Sequence, residues 1–187
     1  MVQTLTKSIT LEEFLQLPET KPASEYIDGQ VIQKTMPQGQ HSLIQGDLTA
    51  AINTILKPEK VARAFPELRC IFGGSAIVPD ISVFVWDRIP RYANGKIANV
   101  FEATPDWAIE ILSPEQRQTK IVKKILRCLE SGMQMGWLID PEEETVFVYQ
   151  PQQKIECFED SDRSLPTPEF AGEFQLTVGE LFGWLSQ

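Results

Sequence analysis

Hydrophobic residues are spaced along this chain in runs whose period changes from segment to segment, and those periods predict most of its elements. Near the start, Ile9-Thr10-Leu11-Glu12-Glu13-Phe14-Leu15 reads as a helix. Thr10 is placed to cap its first turn and Glu13 completes a capping box, with Pro18 closing the segment. Glu25-Tyr26-Ile27 and Gln30-Val31-Ile32 read as two strands joined by a tight Asp28-Gly29 turn. Over residues 42–56, Ile44, Leu48, Ala51, Ile52 and Ile55 recur at helical spacing and predict an amphipathic helix that stops before Pro58.

The chain turns β-rich between Arg69 and Trp86. Ile81, Val83 and Val85 alternate with Ser82 and Phe84, which predicts a half-buried strand after Pro79-Asp80. A long connection from Asp87 to Asp106 carries Pro90, Gly95 and Pro105. Trp107-Ala108-Ile109-Glu110-Ile111-Leu112 has strand length and is followed by a helix from about Glu115 to Ser131, with Gly132 ending it. Residues 136–140, 145–149 and 155–158 read as a meander of strands, and residues 176–182 as a short capped helix. These elements predict an α/β (α+β) fold, a mixed sheet flanked by helices. No linker-like or repeated segment divides residues 1–187, so a single domain is expected.

Composition changes this picture little. A hydrophobic fraction of 42% and a charged fraction of 23% are those of a soluble globular protein. The start lacks a signal-peptide pattern, and no apolar run approaches the ~20 residues that span a bilayer. Cys70, Cys128 and Cys157 are odd in number, widely spaced and form no CxxC pair, which suits a reducing cytoplasm better than a disulfide framework or structural zinc. The net charge of −9 weighs against a surface that coats itself with nucleic acid, so any contact with DNA needs a local basic patch or a metal.

The candidate chemistry lies in two carboxylates and one helix. Glu110 interrupts an apolar run on the face shared by Ala108 and Leu112, where an unpaired charge is costly to bury. An exposed strand face is the plainer alternative. Asp80 follows a proline that cannot donate to a sheet ladder, so a bend or edge is expected there; a turn aspartate is the commoner explanation of such a residue. Two carboxylates on adjacent strands are one way to hold Mg²⁺. On the following helix Ile121, Val122, Ile125, Leu126, Cys128 and Leu129 form the apolar face, while Lys120, Lys123 and Arg127 point away. Lys124 lies at the border, with its ammonium expected over the sheet edge. Residues 115–130 carry five cations, including Arg117 and Lys120, against Glu115 and Glu130. This is either a solvated basic face or a nucleic-acid contact.

In order and spacing, Glu25-Tyr26-Ile27-Asp28-Gly29, His41, Pro79-Asp80-Ile81-Ser82-Val83, Ile109-Glu110-Ile111-Leu112-Ser113-Pro114, Lys124 and Trp137-Leu138-Ile139-Asp140-Pro141 resemble the Uma2 family. That family is abundant in cyanobacteria and is placed in the PD-(D/E)XK superfamily, with a restriction-endonuclease-like fold. The resemblance extends from Thr10–Phe14 to residues 176–182. It implies that Asp80, Glu110 and the backbone carbonyl of Ile111 bind Mg²⁺ or Mn²⁺, that Glu25 joins them, and that Lys124 serves where the superfamily lysine two residues after the glutamate is replaced by Leu112. It also implies DNA as substrate, with Arg117, Lys120 and His41 as candidate contacts; for His41, the only histidine, a structural or capping role is equally open.

The expected activity is metal-dependent phosphodiester hydrolysis. The alternative is a catalytically inactive interaction or nucleic-acid-binding domain of the same fold, which the acidic charge favours. One histidine excludes multi-histidine zinc sites, and no Gly-x-Ser-x-Gly elbow or Walker loop is present. A homodimer is expected because duplex cleavage needs two cuts; Phe182 and Trp184 are either interface residues or core.

Overall fold

Asp28 and Gly29 both adopt positive φ, 52° and 76°, the conformation a two-residue hairpin turn requires at both central positions. The turn joins β1 (Ser24–Ile27) to β2 (Gln30–Gln33) in the register Ile27 opposite Gln30. The computed structural model describes residues 9–114 and 116–186; the helix start expected at Glu115 and the reading of the first eight residues lie outside them. Before the hairpin, α1 (Leu11–Leu15) carries the expected capping box, with the Thr10 hydroxyl accepting from the Glu13 N–H.

Two sheets are built. β1 and β2 join β4 (Cys70–Phe72) and β5 (Ser75–Ile77) in the order β2-β1-β5-β4. The larger sheet contains β3 (Ala62–Pro66), β6 (Ile81–Val85), β7 (Trp107–Ile111), β8 (Met135–Asp140), β9 (Thr145–Tyr149) and β10 (Glu156–Phe158), in the order β10-β9-β8-β7-β6-β3. Among the described strands, β7 and β8 are the pair that run in parallel, joined by the crossover helix α3 (Gln118–Glu130). The fold is thus mixed α+β, two sheets flanked by helices. α3 ends in a Schellman arrangement: Met133 N–H reaches Cys128 C=O and Gly132 N–H reaches Leu129 C=O, with Gly132 at φ 97°.

One face of the large sheet packs on α2 (Gly39–Leu56) and α4 (Val178–Gly183), burying Ile44, Leu48, Ile52, Ile81, Val83, Trp107, Ile109 and Trp137 in one core. The other face holds Ala108 and Leu138 against Ile121, Ile125 and Cys128 of α3. Glu110 shares the face of Ala108, as the strand period requires.

Several expectations are corrected. β6 is not half-buried: Ser82 and Phe84 are as enclosed as Ile81 and Val83, because Phe84 packs with Phe101 and Ile89 on the second face. Ile55 and Leu126 are exposed rather than core, and Leu56 replaces Ile55 on the buried side of α2. Arg127 leaves the apolar face but does not end in solvent; its guanidinium reaches Ser75 Oγ at 2.9 Å and the Asp28 carboxylate, tying α3 to the smaller sheet. Phe182 is core and Trp184 packs partly buried against the same cluster, the alternative to an interface role for these two side chains.

α3 lies close to the sheet because β8 presents Gly136 beneath it. A Cβ at Gly136 would stand 2.6 Å from Ile125 Cγ2 and 3.2 Å from Met133 Cε. We expect Gly136→Ala to lift α3 and lower stability by about 1–3 kcal/mol, the usual scale of overpacking. Urea unfolding measures this, and an unchanged midpoint would show that Ile125 moves freely.

Candidate active site

A carboxylate between two strand ends can replace a missing ladder partner, and Asp80 does so. It stands just before β6, after Pro79, and its Oδ2 accepts the Ile111 N–H at 2.7 Å. Ile81 faces Ile109 across β6 and β7; continued by one residue, that register sets Asp80 opposite Glu110 on the same face of the sheet. Both are buried, with 2% of each exposed. Ile111 donates its N–H to Asp80, and its carbonyl is the group that the family resemblance brought forward as a ligand.

Two ammonium groups serve these carboxylates. Lys124 is only 3% exposed, and its Nζ lies 2.9 Å from Glu110 Oε2 and 2.9 Å from Glu25 Oε1. It therefore lies inside the structure, not over the sheet edge. Glu25, on β1, also accepts the Val78 N–H at 2.8 Å. The second ammonium is Lys34, which the sequence did not single out. Its Nζ lies 2.7 Å from Asp80 Oδ1, 2.8 Å from Glu67 Oε1 and 3.0 Å from the Val78 carbonyl. The two polar groups of the Val78 peptide residue are thus closed by charges of opposite sign, and the network runs unbroken from Lys124 to Asp80.

His41 occupies the first turn of α2 and is buried. Its Nδ1 is 3.0 Å from Ser113 Oγ, and its Nε2 is 3.4 Å from Asp80 Oδ1 without hydrogen-bond geometry. The structure groups His41 with the carboxylates and leaves Arg117 and Lys120 exposed at the start of α3. Gln45, also missed, donates to the Asp80 carbonyl at 2.8 Å. A cavity of about 360 Å³ reaches Asp80, Lys34, His41, Gln45, Glu67 and Gln116; Glu25, Glu110 and Lys124 do not line it.

Burial sets the protonation of this cluster. It raises the Glu110 pKa, and Asp80 and Glu25 add to the rise while Lys124 opposes it, leaving the carboxyl near 8. At Asp80 burial also acts upward, but Lys34, His41 and Lys124 outweigh it and hold the carboxyl well below the usual range. At Lys124 burial acts downward and is overcome by Glu110, Glu25 and Asp80, so the ammonium persists. Four carboxylates, Asp80, Glu67, Glu25 and Glu110, share the ammoniums of Lys34 and Lys124, and burial favours the protonated form of Glu110. Carboxylates on one sheet face, one of them at an open cavity, are a donor set suited to a hard divalent cation.

The Uma2 family, described as "Putative restriction endonuclease", matches residues 11–179. A solved structure from Anabaena variabilis, described as "a putative nuclease belonging to DUF820", is 62% identical in sequence, with a TM-score of 0.93 over 95% of this chain and 99% of that one. No curated protein matches the sequence. Among the described residues, no helix is long and apolar enough to cross a membrane.

The raised pKa of Glu110 has a defined sign. The folded state holds its proton more tightly than the unfolded chain, so this contribution is complete below about pH 4.5 and is lost as pH rises through about 8. Asp80 acts oppositely, and its contribution is lost only as pH falls below the usual carboxylate range. In metal-free protein we expect stability to decline from about pH 5 to 8, and Glu110→Gln to flatten that decline. Urea unfolding across this range measures it; parallel profiles in the two proteins would assign the slope elsewhere.

Proposed function

The chain belongs to the Uma2 family, and we propose that it is a divalent-metal-dependent endonuclease hydrolysing phosphodiester bonds of DNA. The observation that carries this reading is the alignment of Asp80 and Glu110 on one sheet face, each with a buried ammonium, beside an open cavity. A bound Mg²⁺ or Mn²⁺ would polarise the scissile phosphate and lower the pKa of a coordinated water.

The protein's own groups have separate tasks in this reading. Asp80 and Glu110, with the Ile111 carbonyl, hold the cation. Lys124 is a positioning residue: its ammonium fixes Glu110 and Glu25 against each other. Lys34, unlike Lys124, lines the cavity, and it meets an incoming phosphate there. Arg117 and Lys120 face solvent on α3 and contact the DNA backbone away from the scissile bond. A two-fold pair of subunits would cut both strands. The net charge of −9 favours the second reading, an inactive domain of this fold that binds a partner.

The burial of Lys124 alters how its role is tested. Lys124→Ala leaves two buried carboxylates without a cation and costs about 3–5 kcal/mol, so loss of activity in that variant would not separate chemistry from folding. Asp80→Asn and Glu110→Gln preserve shape. We expect wild type to cleave plasmid DNA only with Mg²⁺ or Mn²⁺, and each of these two variants to lose about a hundredfold or more in rate. Lys123→Ala, on the exposed side of α3, keeps wild-type activity. Absence of metal-dependent cleavage of both DNA and RNA by the folded wild type would favour the interaction domain.

A further inference from the structure

The four carboxylates bound by ammonium groups differ in what else approaches them. Glu25 and Glu110 share Lys124 inside the protein and do not line the cavity. Asp80 faces the cavity, and two other potential ligands converge on it there. One atom each from His41, Glu67 and Asp80 lie within 4.8 Å of one another. His41 is about nineteen-twentieths buried, with 6% exposed, yet its Nε2 has no hydrogen-bond partner and is aimed at Asp80 Oδ1. A buried, unpaired ring nitrogen is unfavourable unless something binds it. Its other nitrogen is engaged by Ser113 Oγ, the arrangement that orients a metal-binding imidazole.

Two members of this group, Asp80 and Glu67, already share a cation. Lys34 Nζ is surrounded by Asp80 Oδ1, Glu67 Oε1 and the Val78 carbonyl at 2.7–3.0 Å, a cage of oxygens such as a metal ion takes. Lys34 enters from β2 at the end of a flexible stem and is close to the cavity mouth, where Glu67 is partly exposed. An ammonium tethered in this way occupies the seat without closing it.

Resting on the nuclease reading, we propose that His41 Nε2, Asp80 and Glu67 form a mixed nitrogen–oxygen seat for a first-row transition divalent ion in preference to Mg²⁺, and that Lys34 fills this seat until the metal displaces it. Imidazole favours Mn²⁺ and the later transition ions over Mg²⁺, which prefers oxygen ligands and retained waters. Displacement frees the Lys34 ammonium within reach of the cavity, where a phosphate enters.

The chain's only histidine makes the test direct. With imidazole nitrogens isotopically labelled, wild-type protein is titrated with cadmium as a diamagnetic probe and observed by NMR. A cadmium–nitrogen scalar coupling at His41 Nε2, with Nδ1 unaffected, is expected. Calorimetry with Mn²⁺ and Mg²⁺ is the second measurement. Wild type should bind Mn²⁺ more tightly than Mg²⁺, and Lys34→Gln or Lys34→Met should bind Mn²⁺ at least about tenfold more tightly than wild type, since no internal cation competes. The NMR arm needs no variant, and melting curves verify the folding of the two substitutions. Cadmium binding without coupling at Nε2 would overturn the proposed seat and leave the nuclease reading intact. Equal Mn²⁺ affinity in folded Lys34 variants and wild type would overturn the displacement. If no divalent ion binds wild type or variants, both this seat and the metal-dependent nuclease fall.

Discussion

The Lys124 ammonium links three parts of the fold at one point: α3, which carries it, β7 of the large sheet through Glu110, and β1 of the small sheet through Glu25. Such a buried pair contributes little net energy, because desolvating the charges offsets their attraction. Its effect is on specificity, since any other placement of α3 leaves two carboxylates buried without a cation. Gly136 sets how closely α3 approaches the sheet, and Arg127 fastens the same helix to Ser75 and Asp28. Helix height, helix rotation and sheet-to-sheet position are thus all fixed by contacts within two turns of Lys124.

This arrangement explains which site residues could be read from the sequence. Glu110 was legible because a carboxylate in an apolar run of strand length demands a partner, and Asp80 because proline precedes it at a strand end. Lys124 was legible as a lysine at the edge of an apolar stripe. Its depth was not, because helical periodicity gives a side chain's direction and says nothing of what covers it. Lys34 and Glu67 left no local mark. Lys34 follows a strand whose side chains are mostly exposed, and Glu67 lies in a loop; only tertiary approach brings them to Asp80. The unpaired nitrogen of His41 is likewise a property of its surroundings alone.

The fold follows the same division. The Thr10–Glu13 and Thr177–Glu180 capping boxes and the Asp28-Gly29 turn are local chemistry, and the structure forms them as the residues dictate. Errors arose where a second layer mattered. Ser82 and Phe84 alternate with apolar neighbours and so resemble a solvent-facing row, yet Phe101 and Ile89 cover that row from the long connection after β6. Leu126 shows the converse: an apolar residue beside the buried stripe of its helix that is left exposed.

The hairpin turn at Asp28 and Gly29 also acts as a ruler. Glu25 and Lys34 lie on opposite arms of that hairpin, Glu25 opposite Ile32 and Lys34 bonded to the Ala23 carbonyl, so both side chains project from one face. One charge reaches the Val78 N–H and the other its carbonyl. Because side chains alternate along a strand, lengthening the turn by one residue would shift the second arm by one register position and carry Lys34 to the opposite face. A loop tip usually tolerates insertions. Here its length is transmitted along both strands to the site, and this surface turn should resist insertion as firmly as a core position resists a change of volume.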